Sequence, residues 1–272
     1  MGIDRFIHSK SHRFSLPKIS AIQESAQACD MQPFSAEKKK ELDAIFSQTF
    51  TFFAKCNYTY LFLSEDHKYI IKFLKRDAFD PKSWLAYIPV SFNPYHQDYN
   101  QKCEEKSKIF LAFKMAFNEF KEETSLVYMH IDTITQLHRR LAIVDREGKR
   151  YKVDVDKTNF YIEKRAQLLC PKIADLMRNK EEERAKQLIT SVFAHVNFLV
   201  RRGFFDPELT LCKNLGVIED KVVQLAIGKL YPVTNGCTQL TQGLNSLRSW
   251  LERNYPELLS HFDEEYKRVS AK

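Results

Sequence analysis

Few residues in this chain are spaced to do chemistry. Lys72 closes the run Tyr69-Ile70-Ile71-Lys72, where an ammonium either reaches solvent or holds an ion pair or a ligand. Glu105 lies on the same face of a 3.6-residue repeat as Ile109, Phe113 and Phe120. Taken alone it reads as a solvated charge. Asp206 precedes Pro207 and reads first as a turn or helix-cap residue. Asn214 divides evenly between a turn cap and a functional amide. Asp154 and Asp156 stand at i and i+2 of an expected strand and could share a cation, although solvated acids are the commoner outcome. His130 and Asp132 have the types of an acid–base pair, although strand geometry with solvated tips is the commoner outcome. Cys56 reads as an inert thiol.

The absences exclude more. The chain of 272 residues holds only seven glycines, and neither G-x-G-x-x-G nor G-x-x-x-x-G-K-[ST] occurs. Phosphate, if bound, is bound without a glycine cradle. Six scattered cysteines, with no C-x-x-C, read as reduced thiols rather than a disulfide or zinc framework. Eight histidines form no H-E-x-x-H, so no metal site is expected. The net charge of +7 comes from mild excesses, nine basic against five acidic residues at 139–165 and seven against four at 1–40. Dedicated nucleic-acid binding is therefore not expected. No apolar run is long enough to span a bilayer and the first thirty residues show no secretory h-region, which points to the cytoplasm, with export by another route left open.

Those residues need elements to hold them. Residues 1–35 lack a period and read as a flexible or loosely helical arm, ending at the helix start Ser35-Ala36-Glu37. Aromatic and β-branched runs at 50–53, 58–63 and 69–74 predict three successive antiparallel strands. A long irregular connection precedes a helix over 101–122. Strands follow at 126–131, in a hairpin 141–145/151–156 through Glu147-Gly148, and at 159–164. From Glu181 to Gly203 the apolar positions Ala185, Leu188, Ile189, Val192, Val196 and Leu199 predict a long helix. A small hairpin over 216–226 and a helix carrying Leu240, Leu244, Leu247 and Leu251 complete the chain. This order gives an α+β fold: a β-rich N-lobe at 36–166, with an antiparallel sheet and one long helix, then a mainly helical C-lobe at 167–272.

The order resembles the protein-kinase-like fold over roughly residues 48–255. Tyr69-Ile70-Ile71-Lys72 is similar to the V-A-I-K strand, which makes Lys72 the candidate nucleotide-phosphate lysine and Glu105 its helix partner, with Glu104 the alternative. Phe160–Arg165 is similar in place to the hinge strand. Asp206 falls where the catalytic-loop acid would be, Asn214 where the metal-binding asparagine would be, and Leu225-Ala226-Ile227-Gly228 at D-F-G. The phrases Glu122-Glu123-Thr124 and Trp250-Leu251-Glu252, with Tyr255-Pro256-Glu257-Leu258, also resemble small uncharacterised kinase-like proteins of host-associated bacteria.

The departures decide what the resemblance implies. The first hairpin loop, Ala54-Lys55-Cys56-Asn57, has no glycine, and Asp206 and Asn214 stand eight residues apart where the motif has five. Ala226 replaces the acid that binds Mg²⁺, the main electrostatic contributor in that chemistry. The resemblance thus implies a pseudokinase with a vestigial Asp206. It would be a binding or regulatory module with a protein partner, holding ATP without Mg²⁺ through Lys72, Glu105 and Asn214. An atypical phosphotransferase and a two-lobe interaction protein without a ligand are the alternatives.

Overall fold

A computed structural model describes residues 14–22, 35–79, 96–131, 137–205, 210–229, 231–232 and 236–270. The chain is α+β and divides into two compact units, Met1–Lys106 with Val127–Glu163, and Ser107–Leu126 with Lys164–Lys272. The segment 107–126, expected in the β-rich half, groups with the helical one.

In the first unit, helix α1 (Ala36–Phe46) starts where the sequence placed it, and the Ser35 hydroxyl accepts from the Lys38 amide at 3.2 Å. Strands β1 (Thr49–Lys55), β2 (Thr59–Ser64) and β3 (Tyr69–Leu74) form the expected antiparallel meander. With β4 (Leu126–His130), β5 (Arg140–Val144), β6 (Arg150–Asp154) and β7 (Phe160–Lys164) they build a sheet of order β4-β7-β3-β2-β1-β5-β6. The sheet is not wholly antiparallel, because the β5–β6 hairpin adds to the edge of β1 with β5 parallel to it. Helix α2 (His96–Asn118) begins in this unit.

The pleat sends alternate residues to opposite faces. Phe50, Tyr60, Phe62, Ile71, Phe73, Phe160 and Ile162 point into the core, together with Leu42, Ile45 and Phe46 of α1. The described part of the expected arm belongs to this core, which corrects the loose-arm reading. Phe14 meets Tyr60, Phe62 and Tyr151 edge-on, and Ile19 is fully buried. Polar groups of the sheet hold the segment. The Ile22 amide donates to Asn159 Oδ1 at 2.7 Å, and the Ala21 amide to the Lys157 carbonyl at 2.7 Å. Asn159 is itself buried, donates through Nδ2 to the Ile131 carbonyl at 3.0 Å and accepts the Leu74 amide at 2.9 Å. One side chain and its backbone thus join three segments, and the sequence signal for it, a lone Asn ahead of an aromatic strand, was not separable from a turn residue.

The second unit carries α3 (Leu169–Arg178), α4 (Glu182–Arg201), α5 (Leu211–Asn214), α6 (Gly236–Asn254) and α7 (Leu259–Ser270). Short strands β8 (Gln167–Leu168), β10 (Leu215–Ile218) and β11 (Lys221–Gln224) make one small sheet, and β9 (Phe204–Phe205) and β12 (Tyr231–Pro232) another. All six apolar positions named for α4 are buried, and Gly203 follows the helix at φ +78, the left-handed geometry that ends helices. Leu244, Leu247 and Leu251 of α6 join the same core. Cys170 and Cys212 form a disulfide between α3 and α5, contrary to the reduced-thiol expectation. Their separation of 42 residues hid the pair, since sequence spacing reports nothing on which helices meet. No helix among the described residues is long and apolar enough to cross a membrane.

Candidate functional site

The side of the sheet turned away from that core carries the chemistry. Lys72 and Ile70 alternate with core residues on β3, as Leu61 and Leu63 do on β2, and Tyr161 and Glu163 on β7. Ala54 reaches this side because β1 changes register between Phe52 and Ala54, which reverses the alternation. Ala54 then pairs with Leu61, and Leu61 with Lys72. A row of two apolar side chains therefore leads to one ammonium.

Lys72 Nζ lies 2.6 Å from Glu163 Oε2, with the two side chains 8% and 2% exposed. It also stands 5.3 Å from the centre of the Tyr161 ring. Burial pushes the Glu163 carboxyl up, and the Lys72 ammonium opposes that shift. Burial first, then the charge of Glu163, holds the Tyr161 phenol well above its ordinary range. The second carboxylate oxygen, Glu163 Oε1, is buried with no hydrogen-bond donor among the described residues.

The expected Lys72–Glu105 pair is not formed. Lys72 takes its carboxylate from the neighbouring strand, and Glu105 Oε1 accepts the Tyr58 hydroxyl instead. A strand neighbour is within reach of a lysine without any helix having to approach, which is why Glu163 wins. The strand expected at 159–164 is β7, but Glu163 within it was not singled out by the sequence. An acid alternating with Tyr161 against Phe160 and Ile162 was the available signal.

The β1–β2 turn, where the kinase resemblance puts a phosphate loop, is pinned by a lysine the sequence did not single out. Lys75 Nζ donates to the Cys56 carbonyl and to the Asn57 carbonyl, the latter at 3.1 Å, and lies 5.1 Å from the Tyr60 ring centre. Its pKa falls to about 8 through burial first and the charge of Lys55 second. Tyr58 completes the anchoring with its hydroxyl on Glu105 and its ring 5.5 Å from Phe79. Loop carbonyls here face an ammonium, so this turn does not present a row of amides to a phosphate. Cys56 is exposed with a free thiol.

In the helical unit, Asn214 ends α5 and its carbonyl accepts the Leu225 amide at 2.8 Å, tying it to the Leu225–Gly228 segment. Ile227 is fully buried there, and a Cβ at Gly228 would come within 3.2 Å of Ile109 and 3.3 Å of Phe113. Ala226 offers a methyl group only. Asp206 lies outside the described residues.

The remaining candidates resolve structurally. Asp156 sits beyond β6 and accepts the Leu137 and His138 amides at 2.7 and 2.9 Å, while Asp154 pairs with Lys157 at 3.3 Å. The two acids therefore do not share a strand face. Among the described residues no group of three or more His, Cys, Asp or Glu could hold a metal ion. His130 is buried, with Nδ1 3.4 Å from the Tyr128 hydroxyl, and Asp132 lies outside the described residues.

No family model matches the chain, and no curated protein matches it. Among solved structures, a co-crystal structure of WbdD with the kinase inhibitor LY294002 is 11% identical, with a TM-score of 0.40, covering 79% of this chain and 45% of that one. A structure described as the bifunctional kinase-methyltransferase WbdD is 14% identical, with a TM-score of 0.39, covering 77% and 43%. The Rv3197–erythromycin complex from Mycobacterium tuberculosis is 15% identical, with a TM-score of 0.35, covering 85% and 60%. This chain spans less than half the length of either WbdD structure.

Proposed function

We propose that the chain is a kinase-like module that holds a nucleotide without transferring phosphate, and that it serves as a binding or regulatory protein. The observation that carries this reading is the Ala54–Leu61–Lys72 row. Two apolar side chains in register run into a buried ammonium held by Glu163, the pairing of apolar and cationic surface a nucleotide requires. Ala226 supports the inactive half of the proposal, since Leu225–Gly228 contains no carboxylate for Mg²⁺ and Asn214 would supply a neutral amide only.

A second reading is favoured by burial. Leu61, Leu63, Ile70, Lys72 and Glu163 are all below 10% exposed, so a ligand must displace whatever covers them, and an interaction protein with a filled face needs no ligand. Thermal unfolding of the full chain with ATP, with and without Mg²⁺, separates these. Stabilisation by ATP alone supports the nucleotide-holding module. Stabilisation that requires Mg²⁺ supports an atypical phosphotransferase, and no shift supports the ligand-free protein.

A further inference from the structure

The β5–β6 hairpin is an addition to the sheet rather than part of its frame. Strands β4 and β7 are sheet neighbours, yet the chain between them travels to the far edge and lays the hairpin against β1. Leu141, Ile143 and Val153 anchor it in the core. The residues between them face the other way, with Arg140 opposite Asp154, Ala142 opposite Lys152 and Val144 opposite Arg150. Asp154, the acid of this set, turns to Lys157 at 3.3 Å. Arg140, Arg150 and Lys152 are exposed, and none of them forms an ion pair among the described residues.

Strand β6 ends the sheet, and its open side carries backbone groups as well as charge. The Asp145 amide donates to the Lys149 carbonyl at 2.9 Å, and the Val155 amide to the Arg139 carbonyl at 3.2 Å. Antiparallel ladders alternate bonded and unbonded pairs, so Tyr151 and Val153 bond toward β5. Arg150, Lys152 and Asp154 therefore turn their N–H and C=O groups outward. The other end of the sheet differs, because every residue of β4 is buried. Lysines on an edge often serve only to repel stray strands. Here the residues with outward backbone are the ones that set two cations on one face, so the hydrogen-bonding register and the charge register coincide.

We propose that β6 is a docking edge for an extended acidic peptide of a partner protein. The peptide adds as a further strand, with carboxylates on alternate residues opposite Arg150 and Lys152. Backbone hydrogen bonds fix its register and the two cations select its sign. A nucleic acid could meet the charges but has no backbone to continue the ladder. The edge lies four strands from β3 and Lys72, so its test does not depend on nucleotide binding.

The test is residue-resolved amide hydrogen exchange of the full chain with a synthetic peptide of alternating Glu and Val at millimolar concentration. Three controls accompany it: the same peptide with Lys for Glu, one N-methylated at the glutamate amides, and a short thymidine oligonucleotide. The Arg150, Lys152 and Asp154 amides should exchange fast in the free chain and slow only with the unmodified acidic peptide. Reversing both charges, Arg150→Glu with Lys152→Glu, should weaken that peptide about tenfold, because like charges then oppose across the strands. Both positions are exposed, so the urea midpoint should stay unchanged. Slow exchange in the free chain overturns the proposal by showing the edge already covered. So does exchange that the acidic peptide leaves unaltered. Equal slowing by the lysine peptide, the N-methylated peptide or the oligonucleotide overturns it too, as does full affinity in the charge-reversed protein. Where that variant fails to fold, the wild-type comparison of peptides decides alone.

Discussion

The Lys72 ammonium and Glu163 Oε2 meet at 2.6 Å across adjacent strands, and neither side chain has appreciable contact with water. Desolvation of two charges offsets most of their attraction, so the pair adds little net stability, whereas removing one member strands the other in a poor solvent. Lys72→Met or Glu163→Leu alone should each cost about 3–5 kcal/mol. The double variant should recover most of that loss. Urea unfolding of all three proteins measures it, and two single losses that simply add would show that the pair is not coupled.

The N-terminal segment should prove structural. Ile19 is fully buried and Phe14 contacts three aromatic rings. Ile19→Ala should therefore cost about 2–5 kcal/mol, as buried large-to-small changes do. Deletion of residues 1–22 should lower the unfolding midpoint further, because Asn159 Oδ1 then loses the Ile22 amide. A midpoint unchanged by the deletion would mean that the segment does not pack in solution.

The Cys170–Cys212 bond should be present in protein purified without reductant. It closes a separation of 42 residues within the helical unit's core. Chain-entropy reasoning for a loop of that size gives about 4 kcal/mol, and measured disulfides range over ~0–5. Non-reducing peptide mapping should recover the two cysteines in one linked species. Reduction, or the double change to alanine, should lower the urea midpoint.

His195 supplies a pH dependence of known sign. It is buried on α4 with Nε2 unpartnered, and burial first, then the charge of Lys221, lowers its pKa from 6.5 to about 4. Between those values the unfolded chain binds a proton that the folded one refuses. Stability is therefore complete above pH ~6.5 and declines as pH falls toward 4, by about 2 kcal/mol at pH 5. Carboxylates titrate nearby, so the measurement is the difference between wild type and His195→Leu at pH 7.5 and pH 5. A difference that stays flat across that interval would show that His195 is protonated in the folded chain.

What was legible in the sequence follows from how local each signal is. The α4 register and the β1–β3 meander depend on periods a few residues long, and both can be read directly from Ala185–Leu199 and Phe50–Leu74. Lys72 was legible as a lysine inside an apolar strand. Its partner was not, because Glu163 stands far along the chain and becomes a neighbour only when β7 joins the sheet beside β3. Ile22–Asn159 and Cys170–Cys212 were invisible for the same reason. The bulge that turns Ala54 onto the Lys72 side leaves no mark in composition at all.

Ala226 carries the last prediction. On the kinase-like reading, the Leu225–Gly228 segment stands where a carboxylate would hold Mg²⁺, and among the described residues of that motif set the remaining oxygen donor is the amide of Asn214. Magnesium requires near-octahedral oxygen ligands and is usually held by carboxylates and phosphates together, so one neutral amide is too weak an anchor. Phosphoryl transfer draws most of its acceleration from that metal and from positioning. Purified protein should therefore show no γ-phosphate transfer or ATP hydrolysis above that of a Lys72→Ala control. Ala226→Asp should raise Mg²⁺ affinity, visible as metal-dependent thermal stabilisation with ATP, yet give no turnover. The β1–β2 turn still faces Lys75 with its carbonyls rather than the phosphates with its amides. Wild-type turnover that disappears in the Lys72→Ala control would overturn the inactive reading and establish an atypical phosphotransferase.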